Sequence, residues 1–244
     1  MAAKTHIHTY ADDLGNKISS SIECAEATII FRGENNTLVI RDGAQIQQLE
    51  VYFDCNNGYL EIGACSIPGK GIKANIRVGE KSKIIIGDNF TCTSKCMISA
   101  VECSNIFIGN DCMIAAQNEI KTDDSHPIFD VRTGKRVNMP KSIHMGNHVW
   151  LARRAVVLGG GWMGDGSILG YNSVLKGRIP NNCIAVGIPA RVTKKDIAWE
   201  RPHLSLVKPY VKPDATFVNR SPYWNLTNED EMKDGDDIAE PRGD

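Results

Sequence analysis

Residues 145–180 divide into sixes: MGNHVW, LARRAV, VLGGGW, MGDGSI, LGYNSV and LKGRIP. Met145, Leu151, Val157, Met163, Leu169 and Leu175 head the sixes, and Val149, Ala155, Gly161, Ser167, Ser173 and Ile179 follow four residues later, mostly small. An α-helix needs apolar spacings of three and four, and an isolated strand needs two. A period of six satisfies neither. It fits short strands joined by turns, each six forming one flat side of a triangular coil with its first residue pointing inward.

The pattern extends upstream less cleanly. Ile62-Gly63, Val78-Gly79, Ile86-Gly87 and Ile108-Gly109 restart it, and Cys92, Ile98, Ile114 and Ile120 continue it. Cys96 and Cys112 then fall on the small position. Gly33-Glu34-Asn35-Asn36 and Cys55-Asn56-Asn57-Gly58 each read as a turn before a strand. Degenerate coils are expected from about Ile22. A sandwich of short strands is the alternative, but it does not demand strict sixes.

Composition narrows the class. The chain has 244 residues, 42% hydrophobic, 23% charged and only 7% aromatic, with 22 glycines, so the core is built from small and branched side chains. No apolar run reaches the ~18 residues of a spanning helix. The start, MAAKTHIHTYADD, lacks the pattern of a signal peptide, and a cytoplasmic protein is expected. The formal charge is −1, but residues 225–244 carry −6 and the body +5. That stretch reads as a solvated, disordered acidic tail. The positive excess of the body suits an anionic small ligand and is too weak to indicate nucleic acid. Eight cysteines include no CxxC pair. Reduced thiols in a repeating core are expected, with no metal site.

The sixes disappear between Ile120 and Met145, in KTDDSHPIFDVRTGKRVNMPKSIH, and a loop of about 20 residues in a compact repeat is commonly functional. Asp123-Asp124-Ser125-His126-Pro127 is its centre. Neighbouring carboxylates could orient the His126 imidazole and keep its free nitrogen basic, as a general base requires. His144 and His148 flank Met145 where outward polar residues are expected, so both read as surface. His6, His8 and His203 lie in no motif. No Ser or Cys stands beside a base, which favours direct transfer without a covalent intermediate.

The hexads resemble those of the hexapeptide-repeat acyltransferases over roughly residues 22–195. The resemblance implies an all-β fold, a left-handed parallel β-helix with an extruded loop at about 121–142 and a C-terminal extension. The expected organisation is an N-terminal cap (1–21), the helix (22–195), an extended piece packed on it (196–224) and the tail (225–244). The Asp-x-x-His-Pro pattern is similar to the catalytic motif of the galactoside and maltose acetyltransferase branch. DSHPIFD, with Val149-Trp150 following the histidine, resembles the capsular polysialic acid O-acetyltransferases. By resemblance, His126 takes the proton from an acceptor hydroxyl attacking acetyl-CoA. Trp150 serves as an indole donor to the thioester carbonyl or as a wall for the acetyl group, with plain packing at a subunit interface as the alternative.

Gly187-Ile188-Pro189-Ala190-Arg191 matches the family's closing signature. That match implies phosphate contacts from Arg191 and Lys194, with Lys176 reaching in from the preceding coil. It places Ala152 and Tyr171 along the pantetheine arm. Lys176-Gly177 departs from the family's frequent Thr-Lys, and Lys195 reads as solvated. The resemblance further implies a homotrimer with sites between subunits. The leading expectation is an acetyl-CoA-dependent O-acetyltransferase acting on a carbohydrate hydroxyl, of a capsular or other polysaccharide or its sugar units, sialic acid among them. The alternatives are an amino-sugar N-acetyltransferase, a serine acetyltransferase-like enzyme, or a non-catalytic or carbonic-anhydrase-like metal-binding β-helix.

Overall fold

Three columns of apolar side chains run along the interior of the computed structural model, which describes residues 2–232. Ile29, Val51, Ile76, Ile98, Ile120, Val157 and Leu175 stack in register on the first face. Ile40, Ile62, Ile86, Ile108, Met145, Met163 and Ile179 stack on the second. Cys92, Ile114, Leu151, Leu169 and Ala185 stack on the third. All are buried. The hexad heads of the sequence are these columns, and parallel pairing between coils satisfies the backbone along each face. The result is a parallel β-helix with three sheets of eight, nine and six strands.

The coils are not uniform. Before Thr91 no strand of the third sheet exists, and the first face carries strands of eight residues, Cys24–Phe31 and Ile46–Phe53. The wider interior there holds Phe31 and Phe53, stacked at 5.0 Å. From Met145 the coil closes in 18 residues, Met145 pairing with Met163, and the next in 16, Met163 pairing with Ile179.

The Gly that follows four of the second-face heads has a steric cause. Asp88 Oδ1 accepts from Ala64 N at 2.9 Å, Asn110 Oδ1 from Asp88 N at 2.8 Å, Asn147 Oδ1 from Asn110 N at 2.8 Å, and Asp165 Oδ1 from Asn147 N at 2.7 Å. A Cβ on Gly63, Gly87, Gly109 or Gly146 would lie 2.3–2.7 Å from the oxygen of the next coil. Only glycine admits that approach. The following residue turns the corner in the left-handed region, with φ of 57° at Asn89, 59° at Asp111 and 52° at His148.

Short antiparallel strands extend the sheets at both ends of the stack. Ala3–Ile7 lies antiparallel on Cys24–Phe31, and Tyr10–Ala11 antiparallel on Lys17–Ser20. Lys17–Ser20 already pairs in parallel with Thr37–Ile40, so the helix starts a few residues before Ile22. Ala190–Lys194 folds back on Ile184–Gly187 at the other end. Residues 225–230, read from composition as part of the tail, are pinned to the last coil. Asn181 Nδ2 donates to Leu226 O at 2.9 Å, and Thr227 N to Asp196 Oδ1 at 2.8 Å. Lys195, read as solvated, pairs with Glu229. The remainder of that acidic stretch, residues 233–244, lies outside the described residues. None of the described helices is long and apolar enough to cross a membrane. All eight cysteines are unpaired, and five are buried.

Candidate active site

The loop leaves the first face after Glu119–Lys121 and rejoins the second face at Ile143–Met145. It therefore projects from the corner opposite the third face. A short hairpin closes it, with Phe129 bridging to Arg136 and Asp130 accepting from the amides of Arg132 and Thr133. Arg136 pairs with Glu102 on the body at 2.6 Å.

His126 sits exposed near the start of this loop. Its backbone is fixed: Asn138 Nδ2 donates to His126 O at 2.8 Å and also to Asp124 Oδ2 at 3.1 Å. The expectation that a neighbouring carboxylate orients the ring is not met within the chain. Asp123 is buried and accepts instead from Ser125 N at 2.7 Å and Ser99 Oγ at 3.2 Å, holding Ser125 in the left-handed turn that presents the histidine. Among the described residues the imidazole has no hydrogen-bond partner. A groove of about 240 Å³ opens beside it on the first face, lined among others by Ser99, Lys121, Asp123 and Ser125.

Trp150 is half-buried on the third face, in the strand Trp150–Leu151, its ring 5.9 Å from that of Trp199. His126 and Trp150 thus project from opposite sides of one triangular prism. Ala152 and Tyr171 follow at the corner between the third and first faces. Tyr171 is 60% exposed. The Ala152 amide donates to Leu169 O at 2.9 Å and its carbonyl accepts from Asn118 Nδ2 at 2.7 Å. Both of its backbone groups are already engaged in the stack. Arg191 and Lys194 lie exposed on the closing strand Ala190–Lys194. Lys176 does not join them. The chain turns early after Leu175, through Gly177, and carries Lys176 to the corner under the loop, where it lines a cavity with Asp124 and Lys141.

His148 overturns the expectation of a surface residue. It is buried, with Nδ1 2.6 Å from Asp111 Oδ2 and Nε2 2.9 Å from Trp199 O. Trp199 stacks on its ring at 3.9 Å and Tyr223 at 4.7 Å. Arg201 completes the clasp, reaching Asp111 Oδ1 at 2.6 Å, Thr91 Oγ1 at 2.9 Å, and the carbonyls of Asn89, Asp111 and Cys112. Burial alone would raise the Asp111 carboxyl, but His148 and Arg201 hold it below its ordinary value. His144 is half-buried beside Trp162, and desolvation lowers its imidazole. Burial pushes the Cys112 thiol up to about 12, so it offers no thiolate.

No protein-family model matches the chain. The polysialic acid O-acetyltransferase of Escherichia coli O1:K1 / APEC is 36% identical over 130 residues, 53% of this chain and 42% of that protein. The polysialic acid O-acetyltransferase of Neisseria meningitidis is 32% identical over 145 residues, 59% of this chain and 54% of that protein. The chain spans about half the length of these curated relatives. Among solved structures, the polySia-specific acetyltransferase NeuO superposes with a TM-score of 0.69 at 32% identity, covering 80% of this chain and 84% of that one. The polysialic acid O-acetyltransferase OatWY superposes with a TM-score of 0.54 at 28% identity, covering 73% and 93%.

Proposed function

Because the chain belongs to the hexapeptide-repeat acetyltransferases, with their left-handed parallel β-helix, we propose that it moves an acetyl group from acetyl-CoA to a carbohydrate hydroxyl, with His126 as general base. The observation that carries the reading is the placement of His126. It stands on a backbone fixed by Asn138, its ring nitrogens bonded to none of the described residues, where a general base must reach a substrate proton. It takes the proton of the acceptor hydroxyl as that oxygen attacks the thioester carbonyl, and it returns the proton to the departing thiolate. The polysialic acid O-acetyltransferases among the relatives support a polysaccharide acceptor.

Trp150 belongs to the same site, contributed by another copy. One chain holds the two residues on opposite sides of the prism, so they meet only where the loop of one copy lies over the third face of the next. Such head-to-tail contacts close into a ring, and the family resemblance sets the ring at three copies, a homotrimer. Acetyl-CoA then runs along the corner of Tyr171 towards the cations Arg191 and Lys194. Ala152 lines that path through its side chain, since its backbone groups are engaged. Eight unpaired cysteines fit a reducing, cytoplasmic setting.

The test is thiol release from acetyl-CoA over a panel of polysaccharides, small sugars and amino sugars. Release with a hydroxyl acceptor that is lost in His126→Ala supports the reading. Release only with amines, or release that the variant keeps, overturns it. Co-expressing His126→Ala with Trp150→Ala chains separates the trimer claim. Mixed assemblies regain part of the activity only if one site draws on two chains.

A further inference from the structure

Between Arg201 and Ser221 the extension leaves the β-helix. Its two ends are pinned to one corner, Arg201 on Asp111 and Thr91, and Ser221 through its amide, which donates to Glu200 Oε1 at 2.6 Å. Among the described residues every hydrogen bond made by 203–219 stays inside that arm. Val207 N donates to His203 O at 3.2 Å, Lys212 Nζ to the carbonyls of Val207 and Pro209, and Thr216 N to Asp214 Oδ1 at 2.9 Å. The arm nevertheless carries Leu204, Leu206, Val207, Tyr210, Val211 and Phe217, all exposed, Leu206 by 77% and Val211 by 75%. Val207 and Phe217 line a cavity over Asp111 and Arg201, and the other four are outside it. Apolar side chains gathered on one pinned segment mark a surface that another body covers.

What covers it follows from the three faces. Each face turns a row of side chains outward beside its inward column. On the second face that row is Ile85, Phe107, His144 and Trp162, and on the third it is Met113, Trp150, Ile168 and Ile184. On the first face Glu50, Asn75, Met97 and Glu119 stand in the same place, with Arg77, Ser99 and Lys121 in the row beside them. Two faces are apolar outward and one is polar. A contact of unlike faces, second on third, repeats head to tail, closes about an axis and leaves the polar first face to water. It also sets the loop corner of one copy beside the third face and the Tyr171 corner of the next. The remaining corner, between the second and third faces, then points at the axis in every copy. That is the corner where His148 holds Trp199 and where the arm is pinned.

We infer that residues 202–220 are an intersubunit arm whose partner is a second copy of this chain. Each arm lies at the axis and buries Leu204, Leu206, Tyr210 and Val211 against its neighbour. The inference rests on the proposed transferase reading for the contact of loop and third face, and it adds the segment that locks that contact. The His148–Trp199 clasp then has a purpose beyond its own coil, since it aims the arm at the adjoining copy. Losing the arm's grip separates the loop of one copy from Trp150 of the next.

The experiment is sedimentation velocity over a range of concentrations, on the full chain and on Leu206→Glu/Val211→Glu. Both side chains are exposed in the single chain, so the charges leave its fold intact, and circular dichroism checks that. The expected result is a wild type that assembles and a variant whose dissociation constant rises about tenfold or more. Thiol release by the variant then falls on dilution and returns on concentration. Hydrogen exchange on the unsubstituted protein gives a second reading, with amides of 203–219 slower in the assembled state than in the diluted one. A variant that assembles with the wild-type constant overturns the inference. So does an arm that exchanges equally fast in both states, or a wild type that stays a single chain at every concentration. An assembled wild type that releases no thiol with any acceptor defeats the transferase reading, while sedimentation and exchange still judge the arm.

Discussion

Two corners of the helix each present a histidine, and they differ in what surrounds the ring. At the loop corner, His126 is exposed, its backbone tied down by Asn138 and its imidazole bonded to none of the described residues. At the clasp corner, His148 is buried, both nitrogens facing acceptors and its ring stacked on Trp199. One residue type thus serves two ends. A side chain whose hydrogen-bonding capacity is filled by its own chain holds structure together, and one held in place with that capacity open is equipped for a substrate. The clasp also ties the extension to the coil that carries Trp150, so it braces the candidate site without entering it.

The contrast can be broken in order of expected effect. His126→Ala should lower acetyl transfer by about 10²–10⁴-fold, the usual worth of a positioned general base, with the melting midpoint unmoved. A thermal melt beside the thiol assay checks both halves. Arg201→Ala should cost about 1–3 kcal/mol, because it strips the hydrogen bonds of a half-buried guanidinium and leaves Asp111 with one partner fewer. Limited proteolysis should then cut within 202–220 faster than it does in the wild type. A variant as resistant as the wild type would mean that Trp199 alone anchors the extension.

His148→Phe sharpens the comparison, since it keeps a ring between Trp199 and Tyr223 but removes both polar contacts. A loss of about 1–2 kcal/mol in denaturant unfolding is expected, with far less effect on turnover than His126→Ala. The smallest effect is the pH response of the clasp. The folded-state pKa of Asp111 is depressed below its ordinary 3.8, so its contribution is fully present above that value and is lost as pH falls through the folded pKa. Acid unfolding of the extension, followed by Trp fluorescence, should begin below about pH 4 and weaken in Asp111→Asn.

How much of this was legible follows from which contacts are local. The interior columns were read correctly because each hexad repeats its own inward position. The Gly at 63, 87, 109 and 146 was visible as a pattern, but its cause lies in the Asx oxygen of the following coil. The early coils hide their period because they close over 22–24 residues, as from Ile40 to Ile62 and Ile62 to Ile86, around Phe31 and Phe53. His126 stood out through its motif, yet the same motif misled about Asp123, whose carboxylate is committed to Ser125 and Ser99. His148 was misread because a turn position is ordinarily outward, and its cover arrives with Trp199, 51 residues later.

The Asx column keeps count of the coils without regard to what lies between its rungs. Asp88 N reaches Asn110 Oδ1 across 22 residues at 2.8 Å, and Asn110 N reaches Asn147 Oδ1 across 37 at the same 2.8 Å. The second interval contains the whole His126 loop, and the frame registers no difference. Such a scaffold accepts a foreign cassette between Lys121 and Ile143 as a socket accepts a plug. The loop can then change in length or sequence while the rungs on either side keep their register.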